Sequence, residues 1–519
     1  MIEINLSPRE YQKAIFETAK SYNTLVVLPT GVGKTLIALL LAIERQKAFP
    51  GSKTLFLAPT RPLVEQHLQT FQKELPELFA TLEIFTGSVP AEKRESLFNK
   101  ADIIFSTPQC ISNDLKNNLY SLEDTSLLII DEAHRCLKNY SYTSVVDYYK
   151  SQSSNQRILG LTASPGAELS IVKEICSHLN IEKVESRTRD SPDVKPYLQE
   201  LDFQKVEVPF PSEFEEIRIL LKKIYNEKIS VLKNKNLLFG PANKITLLQL
   251  QKRLFSQISK RNFQAMHGMS LTAQAIKISH ALELLETQTL SGVNTYLSSI
   301  LQQANEKKSR AVQILAKSPE FNAALISLRA LLAKNIEHPK VQVLSEIIKS
   351  EFSQNSNSKI IIFAQFRETI LLLTRVLNKI PNVKSKVFLG QAKKTNSSGS
   401  SGLSQKEQKA IIQEFREGKI NVLCATSIGE EGLDIPEVSA VIFYEPIPSA
   451  IRKIQRQGRT ARLSPGKLLI LMTKDTRDIA FHYASRAKEK RMHKHIETIK
   501  EELKNKPKTL ENVTKPSGF

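Results

Sequence analysis

The stretch Leu25-Val26-Val27-Leu28-Pro29-Thr30-Gly31-Val32-Gly33-Lys34-Thr35 constrains the fold of this chain more than any other. Its apolar, β-branched start, Thr24 to Leu28, reads as a buried parallel strand. The strand breaks at Pro29, passes through a glycine loop and restarts as a helix at Lys34 with Leu36, Ile37, Leu39 and Leu40. In such a loop (Thr30, Gly31, Val32, Gly33), backbone N–H groups converge on a phosphate at a helix N-terminus that already favours negative charge. Lys34 would neutralise the β and γ phosphates, and Thr35 would offer its hydroxyl to Mg²⁺. The usual pattern has Gly at position 28, where this chain has Leu. For this fragment alone, an ordinary glycine-containing strand–helix turn is the alternative.

Further apolar strands alternate with helical segments: Thr54 to Ala58, Ile103 to Phe105, Leu127 to Ile130 and Ile158 to Leu161. That alternation predicts a parallel α/β sheet, whose ligands bind at the carboxyl ends of the strands. Leu127 to Ile130 runs straight into Asp131-Glu132-Ala133-His134. Two adjacent carboxylates at a strand end can divide labour: Asp131 holds Mg²⁺, and Glu132 orients and deprotonates an attacking water. Taken alone, Asp-Glu could merely cap the next helix. Thr162-Ala163-Ser164 follows the next strand and brings two hydroxyls beside the same site.

With 519 residues the chain predicts about three domains. Its hydrophobic share of 41% and charged share of 24% are those of a globular, soluble protein. There is no apolar run of the roughly 18 residues a membrane span needs. The segment Met1 to Arg9 has no basic region followed by an apolar stretch, which argues against secretion. The four cysteines are scattered, form no CxxC pair, and fit a reducing cell interior rather than a zinc ribbon or disulfide framework. The net charge of +20 implies a polyanionic partner. Nucleic acid ranks ahead of anionic lipid, because no basic amphipathic helix with aromatic anchors stands out.

The chain turns polar from about Arg187 to Leu201, which marks a boundary, and a strand-like piece, Phe203 to Pro209, follows. Residues 1–200 form the first expected domain and 201–337 a helical insertion. Within the insertion Phe214, Ile217, Leu221 and Ile224 repeat at helical spacing, as do Leu271, Ala275, Ile278, Leu282 and Leu285, and Phe321, Leu325, Leu328 and Leu332. Lys222, Lys223, Lys228, Lys233, Lys235, Lys244, Lys252, Arg253, Lys260 and Arg261 crowd its first half, a density that suits backbone phosphates. After His338-Pro339 a second α/β domain is expected over 338–500. Its strands are Lys359 to Phe363, Ser385 to Phe388, Asn421 to Cys424, Ala440 to Phe443 and Leu468 to Met472. Residues 501–519 read as a basic, disordered tail. In this second domain Thr426 to Asp434 combines hydroxyls, glycines and carboxylates at a strand end. Gln455 to Arg462 places Arg459 and Arg462 on one face if helical, an arrangement suited to a γ-phosphate reached across a cleft.

Together these residues resemble superfamily 2 helicases across both α/β domains. The resemblance implies two RecA-like parallel-sheet motor domains, with an all-helical insertion between them, that bind ATP and Mg²⁺. Arg9 to Gln12 looks like the adenine-contacting Q-type motif, with Gln12 as reader. Gly31 to Thr35 matches motif I, Asp131 to His134 reads DEAH as motif II, and Thr162 to Ser164 is motif III. Pro59 to Leu63, Thr86-Gly87 and Thr107-Pro108-Gln109 look like motifs Ia, Ic and Ib, which would put Thr60, Arg61, Thr86, Gly87, Thr107 and Pro108 on a strand track. Phe363 to Arg367 resembles motif IV (Gln365, Arg367), Ala425 to Asp434 motif V (Thr426, Gly432, Asp434), and Gln455 to Arg462 motif VI, with Ala461 where glycine is usual. The implied catalytic set is Lys34, Glu132, Gln455, Arg459 and Arg462, with Gly432 and Asp434 helping to hold the nucleotide.

Within the superfamily the chain looks most like the archaeal Hef and FANCM-type fork remodellers, through His280 to Gln288, Ser191 to Val194 and Tyr444 to Arg452. That resemblance implies an ATP-dependent DNA helicase or translocase on branched or forked DNA and single strands. It also implies a monomeric motor partnered by a separate nuclease or a replication or repair protein. The Hef family often adds a nuclease with a Glu-Arg-Lys core; no such triplet occurs here, so unwinding without cutting is expected. RIG-I-like double-stranded RNA sensors share the layout, but four isolated cysteines give this chain no place for their zinc. A third reading, an idle nucleic-acid clamp, has no need of Glu132.

Overall fold

The computed structural model describes residues 7–76, 78–258, 263–390, 395–396, 399–400, 402–426, 435–449, 454, 460 and 465–505. Seven strands form the first sheet: β1 (Thr24–Val27), β2 (Lys53–Leu57), β3 (Leu82–Phe85), β4 (Ile103–Ser106), β5 (Thr125–Ile130), β6 (Ile158–Thr162) and β7 (Lys183–Ser186). All pair in parallel in the order β3-β4-β2-β5-β6-β1-β7. Both faces are covered by helices, which is why β1, β2, β4, β5 and β6 are buried along their whole length and each carries an apolar run. The edge strands β3 and β7 alternate with helices too, but three of the four residues of each remain partly exposed, so neither carries an apolar run that sequence could find.

The second sheet holds β8 (Leu201–Val208), β9 (Ile360–Phe363), β10 (Ser385–Phe388), β13 (Val422–Ala425), β14 (Ala440–Phe443) and β15 (Gly466–Thr473), in the order β10-β13-β9-β14-β15-β8. Two-residue pieces β11 (Thr395–Asn396) and β12 (Gly399–Ser400) pair antiparallel apart from it. β8, which sequence spacing put at the head of the insertion, instead pairs with β15 along its full length, Leu201↔Gly466 to Val208↔Thr473. An edge strand needs one neighbour only, and which neighbour it finds is a tertiary fact.

Between β8 and β9 lies the helical insertion. Its helices Glu215–Asn234, Phe263–Thr287, Leu290–Asn305 and Pro319–Ala333 pack Phe214, Ile217, Leu221, Ile278, Leu285 and Phe321 into one core. Thr289 and Ser318 cap two of these helices by accepting from the amides of Gly292 and Phe321, satisfying donors the first turn leaves orphaned. A second, smaller core joins the far end of Glu215–Asn234 to the helices Lys244–Ile258 and Phe263–Thr287 through Leu232, Leu247, Leu250, Leu254 and Leu271. Truncating a buried leucine such as Leu285 to alanine should cost about 2–5 kcal/mol. The final helix, Arg477–Lys504, leaves the second domain and buries Met492, Ile496 and Ile499 in the core of the first. It runs on to Lys504, so residues 501–504 are helix rather than tail.

Candidate nucleotide cleft and nucleic-acid track

Register fixes where the functional side chains emerge. Phe85, Ser106, Leu57 and Ile130 lie side by side at the ends of β3, β4, β2 and β5. The residues that follow them, Thr86, Thr107, Ala58 and Asp131, therefore leave the sheet along one edge. β1 and β6 end beside them, with Val27 opposite Thr162. The edge divides at β5. Asp131, Thr162 and the glycine loop lie on the β5-β6-β1 side, and Thr60, Arg61, Thr86, Gly87, Thr107 and Pro108 on the β3-β4-β2 side.

On the first side, Gly31 and Gly33 sit at φ 83° and 80°, a region in which side chains are strained. Gly33 has a second reason to be glycine: a Cβ there would come within 2.4 Å of the Gln12 amide nitrogen. That nitrogen donates to the carbonyls of Val32 (3.2 Å) and Gly33 (3.3 Å), and the Gln12 carbonyl accepts from Arg9 N at 2.9 Å. Gln12 thus braces the phosphate loop from behind. Tyr11 does the same, its hydroxyl donating to the Val32 carbonyl at 2.6 Å. Arg9 lies over the ring of Tyr197, 4.7 Å from its centre, leaving a cation and an aromatic face beside the loop.

Lys34 opens the helix Lys34–Ala48 and folds back, donating to the carbonyls of Leu28 (3.1 Å) and Pro29 (3.2 Å). Opposite, His67 Nε2 is 2.8 Å from Asp131 Oδ2 and its Nδ1 is 3.5 Å from the Thr35 hydroxyl. Burial pushes the Asp131 carboxyl up, but His67 and Lys34 beside it outweigh that and hold it below the usual carboxylate range. The Tyr142 hydroxyl donates to the Asp131 carbonyl at 2.7 Å and pins the strand end. Glu132 sits at φ 50°, a left-handed conformation costly for a residue with a side chain. Among the described residues its Oε2 is buried without a hydrogen-bond partner; it lies 3.3 Å from His134 Nδ1, which in turn lies 3.2 Å from the Thr162 hydroxyl.

This donor set fits a hydrated divalent ion bound beside phosphates. Thr35 and Asp131 converge on the one histidine between them, and Mg²⁺ typically takes only one or two protein ligands. The Glu132 carboxylate oxygen, without a hydrogen bond among the described residues, could accept a proton or orient a water. Among the described residues no cluster of three or more His, Cys, Asp or Glu could hold a metal by itself, so the phosphates would have to complete the shell. His67, Tyr142 and Tyr197 are absent from the motif reading. His67 sits inside the helix Arg61–Glu74, where nothing in the spacing marks it.

On the other side of the edge, Thr60 and Thr107 are the residues that precede the helices Arg61–Glu74 and Pro108–Lys116. The Thr60 hydroxyl is buried and unpaired among the described residues, and Arg61 pairs with Glu65 at 2.8 Å. Thr86 bonds Ser88 at 2.8 Å. In the second sheet, β9 and β13 end in register at Phe363↔Ala425, which brings exposed Gln365, half-buried Arg367 and buried Thr426 to a matching edge. The Gln365 backbone N donates to the Glu445 carboxylate at 2.6 Å, and Thr426 N to the Phe388 carbonyl at 3.3 Å. Gly432, Asp434, Gln455, Arg459 and Arg462 lie outside the described residues, as do Lys260 and Arg261.

The insertion carries a further signal, in what it lacks. From Lys228 to Leu282 the sequence has no Asp or Glu, while nine Lys and Arg fall in that span. Lys252 and Arg253 are exposed on the helix Lys244–Ile258, and exposed Ile245, Leu248 and Phe255 flank Lys252 on the same side. Other lysines of the insertion are already matched: Lys223 with Glu320 (2.9 Å), Lys228 with Glu227 (2.7 Å) and Lys244 with Glu283 (3.4 Å).

Known proteins are similar to this chain. The family model of the DEAD/DEAH box helicase matches residues 9–172, and that of the helicase conserved C-terminal domain matches 339–464. A third, provisionally described as the helical bundle of an ATP-dependent RNA helicase, matches 213–337. A Methanocaldococcus jannaschii protein, provisionally named an ATP-dependent RNA helicase, is 36% identical over 490 residues, covering 94% of this chain and 60% of its own length. An ATP-dependent DNA helicase of Schizosaccharomyces pombe is 32% identical over 497 residues, covering 93% of this chain and 59% of its own length. The chain therefore spans less than two thirds of these relatives. The crystal structure of the Pyrococcus furiosus Hef helicase domain superposes with a TM-score of 0.70 at 40% identity, over 92% of this chain and 98% of that one. The chain belongs to the superfamily 2 helicases, in their Hef and FANCM-type branch.

Proposed function

We propose that this chain is an ATP-dependent DNA helicase or translocase that acts on branched DNA such as stalled forks. The observation that carries the reading is the division of one strand-end row. Groups suited to a nucleoside triphosphate lie on the β5-β6-β1 side, and polar groups suited to a phosphate backbone lie on the β3-β4-β2 side of the same sheet. A change at the nucleotide is then felt one strand away by the track. Lys34 leaves the carbonyls of Leu28 and Pro29 to neutralise the β and γ phosphates, and Glu132 takes a proton from the attacking water. Mg²⁺, held by Thr35 and Asp131, would neutralise charge on those phosphates. Arg459 and Arg462, which the motif VI resemblance marks, would stabilise charge on the transferred phosphoryl group. Track residues grip one strand's phosphates, which positions but does not read sequence.

Selection of a branched substrate needs a further surface for the second arm. The acid-free half of the insertion supports that role, because a phosphate-binding face gains from cations and loses from every carboxylate. The relatives' names divide between DNA and RNA, so the assay must too. ATP turnover is measured with single-stranded DNA, forked DNA and double-stranded RNA, each with Mg²⁺ and with EDTA. Forked DNA should stimulate most and EDTA should abolish turnover. Strongest stimulation by double-stranded RNA would replace this reading with an RNA-dependent ATPase, and turnover unaffected by any nucleic acid would discard both.

A further inference from the structure

The helix Arg477–Lys504 is rooted in the second domain and the insertion, and it ends in the first domain. At its root Asp478 is fully buried and accepts from Thr473 N at 2.9 Å and from the ammonium of Lys340, itself fully buried. Lys340 also donates to the carbonyl of Thr287 at 3.2 Å, the last residue of the insertion's long helix. Arg477 donates to the Ser279 carbonyl at 2.6 Å and lies 3.5 Å from Glu286, both on that same helix. Removing one member of a buried ion pair strands the other charge in a dry site. The pair fixes the helix to the second domain, and sliding on the insertion would break the hydrogen bonds to the Thr287 and Ser279 carbonyls.

At the far end Met492, Ile496 and Ile499 are buried with Val172, Ile175 and Val184 of the first domain. Ser164 Oγ donates to Met492 Sδ at 2.8 Å, and His495 Nδ1 is 3.2 Å from the Ala167 carbonyl. Ser164 N donates to the Thr162 hydroxyl at 3.1 Å, the same hydroxyl that lies 3.2 Å from His134 in the cleft. Met492 thus reaches Glu132 through Ser164, Thr162 and His134. Midway along, Lys488 donates to the Pro448 carbonyl at 2.8 Å. The helix has 28 residues, about 42 Å at ~1.5 Å per residue, and is unbroken. Packing alone accounts for a buried methionine. It does not account for a helix whose two ends are tied by directional polar contacts, one to the loop after β6 and the other to the insertion.

We propose that this helix couples the ATP cleft to the helical insertion, with Met492 and Arg477 as positioning residues at its two ends. The proposal rests on the motor reading above. Displacement of the Thr162–Ser164 loop with nucleotide state moves Met492, and the buried root delivers that movement to the segment Ser279–Thr287. The insertion then changes its hold on DNA in step with the cleft.

Coupling of this kind is a factor by which nucleotide alters DNA affinity, and it is reciprocal. Forked DNA is titrated into wild type, Met492→Leu and Arg477→Ala, with and without a non-hydrolysable ATP analogue and Mg²⁺. Met492→Leu keeps the core volume and removes the sulfur acceptor, and Arg477→Ala removes the links to Ser279 and Glu286 without removing an apolar core side chain. The wild-type factor should be about 5–150, and it should fall towards one in both variants while each ligand alone still binds. Hydrogen exchange at Ser279–Thr287 should respond to the analogue in the wild type and not in the variants. Full coupling and full exchange response in both variants would overturn the proposal, as would a wild type whose Ser279–Thr287 ignores nucleotide. A wild type that bound no DNA but kept the nucleotide-dependent exchange, lost in the variants, would sink the motor reading and support the coupling helix.

Discussion

The first α/β sheet and the helical insertion hold their polar side chains in opposite ways. Around β1, β5 and β6 most groups are held by specific partners. Asp131 is gripped by His67, its carbonyl by Tyr142, and the loop carbonyls by Tyr11, Gln12 and Lys34. In the insertion, cations such as Lys252 project from a helix surface, and their number rather than their placement is unusual. The contrast follows from what each must do. Phosphoryl transfer is sensitive to sub-ångström geometry, which strand ends in a seven-stranded sheet can hold. Attraction to a polyanion depends on charge density and tolerates mobile side chains. Mutations should therefore act on rate in the first region and on salt-dependent affinity in the second.

The largest effect is expected at the transferred phosphoryl group, from the motif VI arginines of the second domain. Arg459→Ala or Arg462→Ala should slow ATP turnover by about 10³–10⁵, the range for an arginine finger, with DNA binding retained. A variant that kept its rate and lost DNA would move these arginines to the track. Next comes Glu132→Gln, which should lower turnover by about 10²–10⁴ while ATP still binds, because only the proton acceptor is lost. Lys34→Ala should weaken both binding and turnover. Wild-type hydrolysis by Glu132→Gln, measured as phosphate release, would remove Glu132 from the chemistry.

A third, smaller effect probes the other region. Lys252, Arg253, Lys260 and Arg261 replaced together by alanine should weaken fork binding much more than single-strand binding. The slope of log K against log salt for forks should flatten by up to about 3–4, near 0.9 for each phosphate no longer neutralised. ATP turnover on saturating single-stranded DNA should stay as it was. Equal losses on both substrates with an unchanged slope would make the insertion a brace.

Much of the first region was legible because its constraints are local. Strands buried on both faces spell themselves as apolar runs, and a motif at each run's end falls at the sheet's carboxyl edge by topology alone. β3 and β7 escaped because half-exposed edge strands carry no such run. His67 escaped because its partners, Thr35 and Asp131, are distant in sequence and meet it only in the fold. The same holds for the helix Arg477–Lys504. Its apolar positions are readable, but not the fact that Met492, Ile496 and Ile499 leave the second domain to pack on the first. In the insertion the helical periodicities of Phe214 to Ile224 and Leu271 to Leu285 were visible, and these residues do form its cores. Which lysines keep an unmatched charge was not visible, since that depends on acids from other helices.

That last point yields the smallest and most discriminating expectation. Lys222 and Lys223 are neighbours in a basic run, yet Lys223 pairs with Glu320 at 2.9 Å, whereas Lys252 makes no ion pair among the described residues. The hydrogen bond from Lys223, with help from the backbone amide of Glu320 itself and from Ser318, holds the Glu320 carboxyl down at about 2. A depressed carboxylate favours the folded pair above its unfolded pKa and loses that advantage only as pH falls through about 2, so the pair persists at any pH used for DNA binding. The pair is exposed and adds little to stability, but it matters for counterions: a lysine already facing a carboxylate displaces fewer of them from DNA. Lys252→Ala should flatten the fork salt slope by about 0.9, while Lys223→Ala should leave it nearly unchanged. Both slopes come from the same fluorescence titration at four or more salt concentrations. Equal flattening in the two variants would mean that DNA phosphate displaces Glu320 from Lys223. The surface would then be remodelled on binding, and the distinction between matched and unmatched lysines would disappear.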